Sequence, residues 1–495
     1  MRNRNLRNLL GFSFFADLMV FYPFYNSMFI NSGLRINDIL TLLAVMQIGK
    51  ILFDLPVGLI ADLFDRKYIF LWLPILRFIM LALWILFYSK WSFMLGMFLF
   101  GASISCLFGN IESYAYDFLK TDNFVYDLDS NNDSDKSSIK KSYLSPKEKQ
   151  RNNFASFISL LYIVQNGSIS VASLLGYLLF NHIGYKGILL VSAFFCLIAF
   201  YFATLSLQYK PSQQKPSQQN TNSRCVNYSL MHRLRLNFIS SVKVIFNNIN
   251  IFSVNYFNIF NNLYRILKDA KELLQGAVAQ IVKNTVLRYT LLWFLVHTAL
   301  YIFMIDFHSI TMLNMGLESH NVAIIISILT LIKFFVNTLV PRLSRCFSFK
   351  NILLVDGIGL MLLFFSSLLG NVSLIVAIFV FLILFSFSDI AIISLIQEEL
   401  ESEHRTVVMS GVGVIISLFV IIFQQLAIRK YNFMFNLAPS IAGSEKSASG
   451  APIVFIFSIL VLLYSAAKVG LLHKHKNHRI LTKVNGVSKQ NKHTV

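Results

Sequence analysis

The feature that most constrains this chain is a recurrence of apolar runs, each about 20 residues or longer and nearly free of charge. They lie near 8–30, 38–61, 68–89, 91–117, 154–181 and 187–208, and again near 289–312, 321–341, 351–370, 372–397, 407–428 and 451–472. Each is long enough to carry a helix through a hydrocarbon core about 30 Å thick, with some tilt. A backbone in lipid must satisfy its own hydrogen bonds, so runs of this length read as helices. The expectation is an all-α integral membrane protein with twelve transmembrane helices in two sets of six. Composition agrees, since 56% of residues are hydrophobic and only 14% are charged, against about 25% charged in soluble domains. A soluble globule is excluded.

Charge then orients the chain. There are 43 Lys and Arg against 24 Asp and Glu, a formal net charge of +19. An even number of spans puts both termini on one side, where about 33 of the basic residues fall, with about 6 on the other side and about 4 within spans. Short segments agree: Arg2, Arg4 and Arg7 precede the first run, and Arg66 and Lys67 follow the second. Both termini are expected in the cytoplasm and the protein in the plasma membrane, the inner one if the cell is bacterial. The basic surplus is thus mainly topological and carries no implication of nucleic acid. Cys106, Cys196, Cys225 and Cys346 form no C-x-x-C pair, so neither a disulfide framework nor a zinc site is suggested. The basic start leads into an apolar run without a small-residue cleavage site, which reads as a retained first span.

Two polar intervals interrupt the runs and set the expected domains. Residues 121–153 include DLDSNNDSDKSSIKKS and read as a disordered cytoplasmic insertion in an N-terminal bundle of residues 1–208. Residues 209–288 read as a cytoplasmic linker that opens on a flexible KPSQQKPSQQNTNS stretch. Within it Leu263, Ile266, Leu267, Ala270, Leu273, Leu274 and Ala277 recur at helical spacing opposite Arg265, Lys268 and Lys271. Such a helix suits the anionic inner surface of a membrane, with a protein partner as the other reading. A C-terminal bundle over 289–472 and a basic tail over 473–495 follow. The tail's HKHKNH has metal-like spacing in a low-complexity setting, and no metal or cofactor is expected.

An internal repeat relates the halves. GLIADLFDRK from Gly58 falls opposite NTLVPRLSRC from Asn337, placing Arg66 against Arg345, and GNIESYAYD falls opposite SFSDIAIIS, placing Glu112 against Asp389. KEKQRNNFASF from Lys147 matches ESEHRTVVMSG from Glu401, so that Arg151 faces Arg405 and Ser156 faces Ser410. These motifs, with DLPVGLIADLFDRK over Asp54 to Lys67, make the chain resemble the major facilitator superfamily of transporters over most of its length outside the polar intervals. The resemblance implies that the twelve helices form two pseudo-symmetric six-helix bundles and that Asp54, Gly58, Asp62, Arg66 and Lys67 form the loop that stabilises the outward-open state, with Glu112 and Arg405 as further gate residues. Two departures stand out: Asp65 occupies the usual glycine position, and the second copy has Pro341 and Ser344 where Asp62 and Asp65 sit in the first. The fifth run offers Ser168, Ala172 and Gly176 at four-residue spacing, a small-residue helix contact, and lacks the Gly-Pro pair of the family's drug antiporters.

Ionisable groups inside the spans are costly and are therefore functional candidates. They are Asp17, Lys50, Asp54, Arg77, Glu112, Asp306, Lys333, Asp356 and Asp389. Lys50 and Asp54 stand four apart and can neutralise one another. Asp17, mid-run among aromatic residues, is a candidate for proton or substrate coupling, with a helix-packing hydrogen bond as the other reading. Asp306 and Lys333 lie on adjacent runs and can pair, either as a static bridge or as groups that hold an ionic substrate. His297 and His308 read as core histidines or as proton relays.

No Walker loop, H-E-x-x-H or G-x-S-x-G is present, and an enzyme is not expected. The function expected from the resemblance is secondary active transport of a small organic solute by alternating access, coupled to protons, by a monomer in contact with lipid. A receptor, sensor or scaffold of the same fold that no longer transports is the rival, motivated by the altered second gate copy.

Overall fold

The computed structural model describes residues 2–63, 67–107, 110–111, 114, 146–207, 275–314, 316–343, 349–369, 371–400 and 405–436. Among them every regular element is helical: α1 (Arg2–Asp17), α2 (Tyr25–Asn31), α3 (Ile36–Leu63), α4 (Lys67–Leu86), α5 (Lys90–Ser105), α6 (Pro146–Leu207), α7 (Thr285–Asn314), α8 (Ser319–Leu343), α9 (Phe349–Leu369), α10 (Asn371–Glu399) and α11 (Arg405–Asn436). A further helical stretch covers 275–283. Seven candidate spans among the described residues are long and apolar enough to cross a membrane. The last apolar run, 451–472, and residues 209–274 of the linker lie outside the described residues, as does most of the 121–153 interval. Its last residues, 146–153, are not disordered but form the start of α6. Pro146 suits a first helical position, where its missing N–H is not needed, and KEKQRNN contains several good helix formers.

The first apolar run is not one helix. The chain leaves helical geometry after Asp17 and resumes at Tyr25. Pro23 explains the break, because it has no N–H to donate to Met19 and its ring disfavours helical geometry at Tyr22. The freed backbone is satisfied locally and from a neighbour. Met19 N donates to the Asp17 carbonyl at 2.8 Å, Phe24 N to the Phe21 carbonyl at 2.8 Å, and Phe21 N to the Ser192 hydroxyl at 3.1 Å.

α6 is two helices. At about 1.5 Å per residue a straight helix of its length would be several times thicker than the bilayer core. Gly184, at φ +60 and ψ −169, breaks it. Ser168 donates to the Phe14 carbonyl, while Phe15 next to it stacks on Phe202 with centroids 5.4 Å apart. Residues on either side of Gly184 therefore meet the same turn of α1, so the chain folds back there. The two arms match the separate runs 154–181 and 187–208.

Close approach needs small residues where side chains cannot interdigitate. A Cβ on Gly49 of α3 would fall 2.2 Å from the Phe98 carbonyl oxygen, and one on Gly101 of α5 would fall 1.9 Å from that of Met46. Ser105 adds a hydrogen bond to the Lys50 carbonyl at 3.0 Å across the same crossing. The small-residue stripe of α6 behaves as its spacing predicts: Ser168 and Ala172 are buried, and Gly176 abuts Phe24 and Val20 at the break in the first run. Trp84, fully buried, gathers Phe21, Phe29 and Phe93 at centroid distances of 5.6, 5.6 and 6.0 Å. Trp72, Trp91 and Phe194 are exposed and contribute to an apolar outer surface suited to lipid. α6 packs along α8 and α3 along α11, so helices from the two halves of the sequence meet in two seams with a cavity between them.

Candidate functional site

The cavity has a volume of about 400 Å³ and is lined from nine of the helices and from the break in the first run. The break and the helix ends that flank it supply Asp17, Met19, Tyr22 and Tyr25, residues that a continuous helix would have spread around its circumference. Gln47 and Lys50 come from α3, Arg77 from α4, and Tyr162 and Asn166 from α6. Across from them stand Tyr301, Asp306 and His308 of α7, Lys333 of α8, and Phe385 and Asp389 of α10. Non-helical backbone at a water-accessible cavity between packed helices is the arrangement by which membrane proteins expose polar groups without lipid contact.

The charges are organised in sets. Arg77 approaches the Asp17 carboxylate at 3.4 Å, donates to the Ala16 carbonyl and to Ser103 Oγ at 3.3 Å, and lies over the Phe100 ring at 5.5 Å. On the other wall Lys333 donates to the Tyr301 hydroxyl at 2.6 Å, and Tyr301 stacks on Phe385 with centroids 3.7 Å apart. Asp306 accepts from Gln424 Nε2 at 3.5 Å, and Asp389 accepts from the Tyr162 hydroxyl at 2.8 Å. That last bond joins α6 to α10 and so crosses the two halves of the sequence. Asn26 reaches Ser309 at 2.7 Å and Ser170 reaches Ser327 at 3.3 Å across the same divide.

Of the residues singled out from sequence, Asp17, Asp306 and Lys333 all come to this one cavity. Asp306 and Lys333 do not pair directly, because the lysine reaches Tyr301, more than a turn earlier on α7 than the carboxylate. Lys50 faces the cavity and acts on Asp54 from one turn away on α3; both are buried. Gly58 is buried in α3, Asp62 lies in its last turn and Lys67 begins α4. The side chains of Asp62 and Lys67, and Arg66 and Glu112 entirely, lie outside the described residues. Arg405, buried at the start of α11, donates to the carbonyls of Gln397 at 3.3 Å and Leu400 at 2.9 Å, and so closes the end of α10.

Sequence reasoning missed the partners rather than the charges. Sequence gives Arg77 no role beyond its charge, and a tyrosine in an apolar run, such as Tyr162 or Tyr301, looks like any other aromatic. The signal in the sequence is Pro23, which follows Asp17 in the same apolar run and marks a broken helix. His297 sits away from the cavity, held by Ser388 Oγ at 3.0 Å and Asp356 at 3.5 Å. Among the described residues no cluster of His, Cys, Asp or Glu could hold a metal ion.

The family model of the Major Facilitator Superfamily matches residues 141–424, more than half of the chain. The chain belongs to the major facilitator superfamily. It is accordingly a multi-pass integral membrane protein of a transporter family. Comparison with curated proteins gives no match. Among solved structures, the major facilitator proton:xylose symporter bound to 6-bromo-6-deoxy-D-glucose is similar at a TM-score of 0.58, with 12% identity and 93% of each chain covered. An auto-inhibited peptide transporter of the POT family is similar at a TM-score of 0.56, with 16% identity and coverage of 94% of this chain and 96% of that one. At such identities the likeness concerns the fold alone.

Proposed function

We propose that this protein is a secondary active transporter that moves a small organic solute by alternating access, with protons as the coupling ion. The observation that carries the reading is the cavity itself: a chamber of about 400 Å³ between helices from both halves of the sequence, walled by ionisable side chains. Buried charge in a membrane protein is retained where a solute or ion uses it. In this reading twelve helices form two six-helix bundles, over 1–208 and 289–472, which rock about the cavity as a monomer. The 209–288 linker and the 473–495 tail stand in the cytoplasm with both termini, and the amphipathic helix of the linker rests on lipid. Asp17 is the coupling carboxylate: its protonation cancels the attraction that holds Arg77, freeing the guanidinium to move with the helices. Asp54, Gly58, Asp62, Arg66 and Lys67, with Glu112 and Arg405, form the gate on the cytoplasmic side. The existence of solved neighbours that are a proton:xylose symporter and a peptide transporter supports a solute of small organic type.

The test is reconstitution. Purified protein in proteoliposomes with an imposed pH gradient should accumulate at least one solute from a panel of sugars, carboxylates, amino acids, peptides and nucleosides, and collapsing the gradient should abolish accumulation. Binding without any flux across the whole panel contradicts the proposal.

A further inference from the structure

Two charges in the cavity have no opposite partner at contact distance among the described residues, and their placement describes the solute that would complete them. Lys333 is buried, and among the described residues its ammonium group contacts only the neutral Tyr301, at 2.6 Å from the hydroxyl and 5.0 Å from the ring centroid. Among the described residues no carboxylate lies within 4 Å of it. Asp389 acts on Lys333 only from a distance and is occupied by the Tyr162 hydroxyl at 2.8 Å. Stacking on Phe385 fixes Tyr301, so the ammonium is held in place by aromatic packing and not by charge.

Asp306 is in the complementary position. It is 5% exposed, it lines the cavity, and among the described residues its carboxylate has one hydrogen-bonding partner, the amide of Gln424 at 3.5 Å. Arg77 is already engaged by Asp17, Ala16 and Ser103. Nearby, His308 is 4% exposed and lines the same wall, with its ring 6.3 Å from that of Phe379 and within the electrostatic reach of Lys333; among the described residues neither ring nitrogen makes a hydrogen bond. An ionised group with only neutral partners at low dielectric is costly, and a bound ion of opposite sign removes that cost.

Resting on the transport reading of this cavity, we propose that its solute is a zwitterion whose anionic group binds Lys333 and whose cationic group binds Asp306. Tyr301, which marks the lysine's end, stands five residues before Asp306 on α7, about 7.5 Å along the helix axis at ~1.5 Å per residue. The two charged groups of an α-amino acid sit on a single carbon, too close together to match anchoring residues set that far apart. The solute therefore carries them at the ends of a longer backbone whose middle lies on Tyr22, Tyr25 and Phe100, while His308 offers one more polar contact.

The probe is 6-aminohexanoate, with hexanoate, hexylamine and 1,6-hexanediol as analogues lacking one or both charges and glycine as the short zwitterion. Binding is measured by calorimetry and by thermal unfolding of the purified full-length protein. 6-Aminohexanoate should bind at least tenfold more tightly than each of the four others. Lys333→Gln should lower its affinity to that of hexylamine, and Asp306→Asn to that of hexanoate. Where a variant does not fold, the ranking of the five ligands on the unmodified protein decides alone. Equal binding of the diol, equal binding of glycine, or no binding of 6-aminohexanoate overturns the assignment. Flux separates the two readings. If 6-aminohexanoate binds by these rules yet crosses no proteoliposome, the charge assignment stands and the transport proposal falls; saturable flux of an uncharged solute with 6-aminohexanoate inert does the reverse.

Discussion

Arg77 joins the Asp17 carboxylate at 3.4 Å with the same nitrogen that donates to the Ala16 carbonyl, so one guanidinium holds both the charge and the backbone end of the broken first helix. Both side chains are well shielded, at 5% and 17% relative exposure. Removing one member of such a pair leaves an uncompensated charge and typically costs about 3–5 kcal/mol. Arg77→Ala should therefore lower the thermal midpoint sharply. Asp17→Asn, which removes charge and keeps shape, should cost less and should reduce gradient-driven accumulation at least tenfold while leaving solute exchange at equilibrium. A parallel loss of both activities in a well-folded Asp17→Asn protein would show a structural pair only.

The α3–α5 crossing should be intolerant of bulk. Gly101→Ala places a Cβ 1.9 Å from the Met46 carbonyl oxygen, a backbone atom that cannot swing aside. Overpacking of this kind costs about 1–3 kcal/mol. Gly411→Ala, where nothing lies within 4 Å, is the control and should be neutral or more stable by about 0.5–1 kcal/mol. Thermal unfolding of the two variants side by side checks the contrast.

Gly184 makes a different claim. Its surroundings are empty, yet φ is +60 with ψ −169, a region essentially reserved for glycine, so Gly184→Ala should destabilise by about 1–3 kcal/mol through the backbone alone. An unchanged midpoint would mean that the fold-back does not require this conformation.

Asn26 and Ser309 hydrogen-bond at 2.7 Å between α2 and α7. If the halves of the sequence separate there during transport, the double variant Asn26→Cys and Ser309→Cys, oxidised, should retain less than about a tenth of the flux, and reduction should restore it. The short reach of a disulfide, with Cα atoms about 4.4–6.8 Å apart, makes the lock stringent. Full flux through the oxidised protein contradicts separation at this contact.

Much of the fold could be read from the sequence, because hydropathy measures what lipid requires. The run near 38–61 is α3, Ile36–Leu63, and that near 372–397 is α10, Asn371–Glu399. Hydropathy did not reveal the break at Asp17, since the apolar run continues through Pro23 and only the missing N–H signals it. α5 ends at Ser105 although apolar residues run on, for the same reason that composition does not see backbone geometry. At the site, burial logic selected Asp17, Asp306 and Lys333, and all three line the cavity. Their partners Arg77, Tyr301 and Gln424 depend on helix rotation and on packing between helices distant in sequence, which periodicity on a single helix does not encode.

The most direct test of the account is solute-induced proton movement. Proteoliposomes carrying a pH-sensitive dye in the lumen are challenged with solutes one at a time, 6-aminohexanoate first. Coupled transport predicts saturable lumen acidification with at least one solute, absent from empty liposomes and lost in Asp17→Asn. Solute entry with no proton movement, or the same acidification in Asp17→Asn, contradicts coupling through that carboxylate.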